Sequence, residues 1–290
     1  MKNYLNKRNI ITLVVMLVVF AVVQLLIQEK IITSYMRSNI YWIGIYIMLG
    51  LSLNMIIGIT GQLSLGHAGF MSIGAFSAAV ALQSAPSLTG LFIGIGIGIL
   101  ISLVVSFIVA VPTLRLKGDY LAIATLGVAE IIRIVLNNLS ITGGASGISN
   151  IKMLMSWPLL YVFVVLTILL THNFKNSAIG RACISIKEDE IAAEAMGINT
   201  TKYKVIAFMF GAALAAMAGS LFSTTYYIVK PDSFGVNTSI NILILEDSFA
   251  ESLHHDCTGS ITGNRHGGTT HIYESVNTSS YSYTFDRNAG

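Results

Sequence analysis

The chain has 290 residues, of which 54% are hydrophobic and only 11% charged, and its mean hydropathy is +0.72. Soluble domains carry about 25% charged residues, so the composition excludes a soluble enzyme and reads as a membrane protein. A formal net charge of +3, with no basic stripe interleaved with aromatics, also excludes nucleic-acid binding.

Lys2, Lys7 and Arg8 precede an uncharged run from Ile10 to Ile27. That run is too long for a signal-peptide core, and no small-residue cleavage site follows it. It is read as a first, uncleaved transmembrane helix. From Ser38 to Leu114 there is no Asp, Glu, Lys or Arg, which is too long for one crossing. The turn signals "GITGQ" (Gly58–Gln62) and "SAPSLTG" (Ser84–Gly90) divide it into passes over 39–59, 63–83 and 89–111. A fifth pass fits 120–139 and a sixth 153–172. The charged segment 173–204 follows, and then a seventh run over 205–229. The expected fold is an all-α polytopic membrane protein with about seven transmembrane helices. Basic residues at Arg115–Lys117 and Lys175–Lys204 lie on the side of the N-terminus, which the positive-inside rule places in the cytoplasm.

The stretch "GQLSLGHAGFMSIGAF" (Gly61–Phe76) sets four glycines, a glutamine, two serines and His67 inside the most apolar region. Glycine costs about 1 kcal/mol against alanine inside a helix, so a lipid-facing helix gains nothing from them. Two readings stand side by side. One is close packing of helix backbones. The other is a broken or re-entrant entry, where Gln62, Ser64 and His67 meet water or solute.

Glu130 and Arg133 stand at i,i+3 within the fifth pass, an intramembrane ion pair that fixes helix packing or marks a pathway. Gly94–Gly98 and Gly211–Ala215–Gly219 have the spacing of helix-packing glycines. Lys187–Met196 reads as a short amphipathic helix with Glu188, Asp189 and Glu190 in its first turn and Gly197 as its stop. Such a helix is either a solvated surface element or a docking element for a partner. The chain has no phosphate-binding G-x-x-x-x-G-K-[ST] loop and no nucleophile–base constellation, so neither ATP binding nor an enzyme activity has support.

After Leu245 the pattern changes mid-run in "INILIL". Residues 246–290 hold no lysine and four of the six histidines, and no further crossing fits there. The division is a transmembrane domain over 1–245 and a polar tail over 246–290, disordered or frame-shifted. His254, Cys257, His266 and His271 match no ordinary zinc spacing, and nothing in the chain calls for a metal or a cofactor.

Several segments in order resemble one family. They are "GQLSLGHAGFMSIGAF", "LRLKGDYLAIATLGVAEIIRIVLNN" (Leu114–Asn138), "ITGGASGIS" (Ile141–Ser149) and "IGRACISIKEDEIAAEAMGINTTKYKVIAF" (Ile179–Phe208). Together they resemble the branched-chain amino-acid ABC transporter permeases, M-type subunit. The resemblance implies inward transport of a hydrophobic amino acid across the bacterial cell membrane. It implies separate ATPase subunits, a second permease subunit and an extracytoplasmic solute-binding protein as partners. It also implies that Gly61, Gln62, Ser64, Gly66 and His67, with Gly118, Asp119 and Tyr120, border the solute route. Glu190, Ala192, Ala193 and Gly197 would couple to the ATPase, although Ile191 stands where the importer loop usually has glutamate. A urea or amide permease resembles the same pattern, an ATP-independent carrier is a rival class, and the tail admits a non-functional truncated product.

Overall fold

The computed structural model describes residues 18, 20–27, 29, 33–114, 116 and 118–246. Their regular elements are helices: α1 (20–27), α2 (Ser34–Thr60), α3 (His67–Ser84), α4 (Leu88–Thr113), α5 (Asp119–Asn138), α6 (Trp157–Asn176), α7 (Ala178–Glu188), α8 (Glu190–Ala195), α9 (Thr200–Thr225) and α10 (236–246). Short 3-10 turns cover Gly144–Ser146 and Pro231–Phe234, and one isolated antiparallel bridge joins Ile148 to Val229. Half of the first expected pass (10–17 and 19) and the tail beyond residue 246 lie outside the described residues, as do His254, Cys257, His266 and His271. Among the described residues no cluster of three metal-ligating side chains forms.

Among the described residues four helices are long and apolar enough to cross a membrane: Tyr35–Thr60, Leu88–Thr113, Trp157–Asn176 and Thr200–Thr225. The fifth expected pass, α5, carries Asp119, Glu130 and Arg133. The third, α3, is short at 18 residues and enclosed by α4, α5 and α9. Buried residues make up 78% of the apolar window of α9 but 28% in α4 and 22% in α6. The core is therefore α9 with α2, α3 and α4 packed on it, and the outer faces of α4 and α6 present apolar flanks.

Small residues let the core helices touch. A Cβ on Gly94 would lie 2.7 Å from Ala78 Cα, and one on Gly211 would lie 2.9 Å from Ile56 Cδ1. Hydroxyls tie the same contacts across helices. Ser220 donates to Gly74 O (3.0 Å), Ser77 to Gly94 O (3.1 Å) and Ser102 to Ala212 O (2.9 Å). In an apolar medium lipid tails compete with any greasy surface, so close van der Waals approach and such bonds carry much of the association.

Helix ends differ from the expected boundaries for local reasons. The third pass starts at His67 and not at residue 63, because 61–66 is non-helical. The sixth pass slides to Trp157–Asn176, where Pro158 fits the first turn, a position whose N–H has no intrahelical acceptor. The seventh begins at Thr200, capped by Asn199 Oδ1 accepting from Lys202 N, and stops at Thr225. Val229 instead pairs with Ile148.

The expected single helix over 187–196 is two. Asp189 leaves helical geometry at φ −154, and its Oδ1 accepts from Ile191 N (2.9 Å) and Ala192 N (3.0 Å), so α7 ends and α8 starts there. A carboxylate competes with the helix for these backbone donors, which makes Asp a strong cap and a poor interior residue. Cys183 is buried beside α9, its thiol directed at Tyr203 O (3.6 Å). Burial pushes that thiol up to about 11, so it stays protonated and inert at neutral pH.

Candidate functional site

Thr60 ends α2, and Gly61 turns the chain at φ +70, a left-handed conformation that glycine adopts without a Cβ penalty. Its N–H closes on Ile57 O, and that of Gln62 reaches Ile56 O. The backbone then stays non-helical to Gly66, where α3 begins. The break is held against α5: Leu65 N donates to Thr125 Oγ1 (3.0 Å), and a Cβ on Gly66 would sit 2.7 Å from Thr125 O.

Polar side chains in this break are buried, with unmet bonding capacity. His67 Nε2 lies 2.6 Å from Ser52 Oγ, and the Ser52 hydroxyl reaches Leu49 O at 2.8 Å. One proton arrangement satisfies both bonds: serine donates to the carbonyl, and Nε2–H donates to serine. Nδ1 then remains a bare acceptor. Both amide atoms of Gln62 and the Ser64 hydroxyl likewise lack a protein partner, although Gln62 is 5% exposed and Ser64 2%. An unmet buried polar group costs about 1–3 kcal/mol. Gln62→Leu should therefore raise the midpoint of thermal unfolding of the purified chain, and the same variant should lower solute uptake. A lowered midpoint would show that the amide is satisfied.

The break opens on a cavity of about 350 Å³. Thr60–Leu63 form one wall. The α4–α5 connection supplies Gly118 and Asp119, α7 and α8 supply Lys187 and Glu190, and α9 supplies Lys204. Lys187 Nζ donates to Gly58 O (2.8 Å) at the negative end of α2, a favourable place for a cation. Lys204 Nζ pairs with Glu190 Oε1 at 2.7 Å. Asp119 occupies the first turn of α5, where the helix dipole favours a carboxylate.

A family model described as the branched-chain amino acid transport system / permease component matches residues 35–245. That span contains the break, the cavity and the charged segment. The chain belongs to this permease family. It is 35% identical over 236 residues to the high-affinity branched-chain amino acid transport system permease protein LivM of Salmonella typhimurium, covering 69% of this chain and 55% of that protein. LivM of Escherichia coli is 34% identical over the same coverage. A probable branched-chain amino acid transport permease protein LivM of Methanocaldococcus jannaschii is 28% identical over 225 residues, 63% of this chain and 65% of the relative. The chain thus spans about half the length of the two bacterial relatives. No solved structure matches it.

Within this chain the expected site residues fall into several places. Gly61, Gln62, Gly118, Asp119 and Glu190 meet at the cavity. Ser64, Gly66 and His67 lie buried behind it, around Ser52 and Thr125. Tyr120 departs from the expected grouping: it is 74% exposed and does not line the cavity, because the helical turn that directs Asp119 inward carries the next side chain around the outside. In the segment expected to couple, Ala193 is buried, while Ala192 and Gly197 are exposed beside Ile191 and Met196, at 80% and 83%.

Glu130 and Arg133 form the expected pair through Arg133 Nε (3.1 and 3.0 Å), and Arg133 Nη1 also reaches Asp232 at 2.7 Å. Asp232 belongs to the Pro231–Phe234 turn, whose Phe234 packs on Phe76 and Phe222. This network stands about 16 Å along α5 from Asp119, at 1.5 Å per residue. The sequence reading missed Lys187, Lys204 and Asp232. The two lysines carried no signal apart from the rest of a charged segment, and Asp232 sits in a loop with no motif.

Proposed function

We propose that the chain is the permease subunit of an ABC importer that translocates branched-chain, or related hydrophobic, amino acids across the bacterial cell (inner) membrane. Separate ATPase subunits energise it, a second permease subunit completes the route, and an extracytoplasmic solute-binding protein delivers the solute. The observation that carries the reading is the helix break at Gly61–Gly66. It sets unmet polar groups beside a cavity whose other walls come from the α4–α5 connection and the charged 173–204 segment. Irregular backbone at membrane depth is tolerated where it lines a water-filled cavity or is buried in protein, and transporters place solute sites at such breaks.

In this proposal the chain crosses about seven times with its N-terminus in the cytoplasm, and the 173–204 segment faces the ATPase. Gly61, Gln62, Ser64, Gly66, His67, Gly118 and Asp119 border or hinge the route. Glu190, Ala192, Ala193 and Gly197 belong to the coupling element, with Ala193 anchoring it to the bundle. An ATP-independent carrier would need a free intramembrane acid to couple an ion, and Glu130 is engaged by Arg133.

The test is reconstitution with the ATPase and the second permease subunit in vesicles, with binding protein supplied outside. Radiolabelled L-leucine should accumulate only with ATP on the ATPase side. ATP-independent accumulation, or ATP-driven uptake of urea in its place, would overturn the assignment.

A further inference from the structure

Four charged side chains among the described residues line the cavity, and two of them are spent on each other: Lys204 holds Glu190 at 2.7 Å. Lys187 is held only by the neutral carbonyl of Gly58, and Asp119 makes no hydrogen bond or ion pair with a described residue. One ammonium and one carboxylate therefore share a chamber with Gln62, a side chain 95% enclosed whose amide donor and acceptor are both without a protein partner. Leu63, Leu114, Leu116, Leu121 and Ile186 make up the rest of the wall.

We propose that this cavity is a binding site for one zwitterionic α-amino acid with an aliphatic side chain. Its carboxylate rests on Lys187 Nζ and its ammonium on Asp119. The inference rests on the permease reading and places the solute against the charged segment, at that end of the route.

Three properties of the chamber select this ligand class. A fatty acid or an amine leaves either Asp119 or Lys187 unmatched beside an aliphatic wall, and unpaired charge in such surroundings is costly. A zwitterion answers both. Lys187 now donates to an uncharged acceptor, and exchange for a carboxylate adds opposite charge to a bond so far charge-assisted on the donor side alone. The chamber volume, about 350 Å³, lies at the small end of ligand sites, which begin near 300 Å³. It suits a single amino acid and is too small for a peptide. The five aliphatic side chains supply the apolar contact that favours a leucine-like side chain over a polar one.

The full-length chain in detergent is titrated calorimetrically with L-leucine, leucinamide (carboxylate blocked) and 4-methylpentanoate (amino group absent). L-leucine should bind about tenfold or more tighter than either analogue, the loss expected for one charged hydrogen bond. Lys187→Met should erase the preference over leucinamide and keep the preference over 4-methylpentanoate. Asp119→Asn should do the reverse. No leucine binding to the unmodified chain, or unchanged preferences in both variants, overturns the proposal. If either variant fails to fold, Leu116→Cys in a Cys257→Ser background replaces it. L-leucine should slow maleimide labelling there and the analogues should not, and equal labelling overturns the proposal. Uptake by the same protein, reconstituted in vesicles with its partner subunits as above, separates the two claims. The binding pattern without ATP-driven uptake removes the importer reading and keeps the site; uptake without the pattern removes the site alone.

Discussion

Gly74→Val should abolish recovery of folded chain, whereas the same change at Gly96 should leave it intact. A Cβ on Gly74 would fall onto the carbonyl oxygen of Ala216 and lie 2.7 Å from Ala216 Cα, so the obstacle is α9 backbone, which has no rotamer with which to yield. Gly219 has the reciprocal role: its Cβ would fall onto Met71 O, and α3 and α9 meet through this pair. Gly96 lies on the exposed face of α4 with nothing within 4 Å. Overpacking a tight core costs about 1–3 kcal/mol and occasionally more, and here the strain also breaks the Ser220–Gly74 hydrogen bond. Fluorescence-detected size exclusion of both variants measures this. A monodisperse Gly74→Val peak at unchanged yield would show that α3 and α9 separate freely.

The double substitution Ile191→Asp, Met196→Asp should eliminate ATP-driven uptake and leave the melting midpoint of the chain unchanged. Both side chains project from the short α8 region at 80% and 83% exposure, so nothing in the bundle depends on them. If they seat in a groove of the ATPase, each contributes about 1.5–3 kcal/mol of apolar burial. Losing two such anchors weakens association on the order of a hundredfold or more. Pull-down of the ATPase subunit with tagged permease reads this directly, and undiminished capture would remove α8 from the interface. Ala193→Leu provides the contrast. Ala193 is 4% exposed, so a larger side chain there should lower the melting midpoint before it affects the partner.

Composition and period carry the helices, because a run without charge has one stable form in lipid. The uncharged block 38–114 resolves into α2, α3 and α4 close to the expected turns for that reason. The glycines of 61–76 permitted both readings, and the backbone breaks at some of these positions and packs closely at others. Gly61 and Gly66 frame an actual break, while Gly69 and Gly74 are packing contacts, with a Cβ on Gly69 lying 2.9 Å from Ala129 Cα. Only the tertiary arrangement separates the two, since the local sequence is equally glycine-rich throughout.

The cavity was half legible. Gln62 and Asp119 stand in segments with family character, but Lys187 and Lys204 come to it from α7 and α9, more than a hundred residues along the chain from Gln62. No periodicity reports a contact of that separation. Asp189 was read as one charge in a first turn, when its shape and short reach make it the cap that divides the element in two.

The far end of the bundle is fastened differently from the cavity end. There Ile148 and Val229 exchange two backbone bonds of 3.0 Å, and Tyr227 donates to Asn150. Lys152 reaches Pro86 O, and Arg133 reaches Asp232. Each such bond has a net worth near 1 kcal/mol, so the seam as a whole holds by only a few. A protein that docks with micromolar affinity releases about 8 kcal/mol, more than the seam resists. If that face receives the delivering protein of the proposed importer, a partner that binds the opened form better has energy enough to undo the fastening.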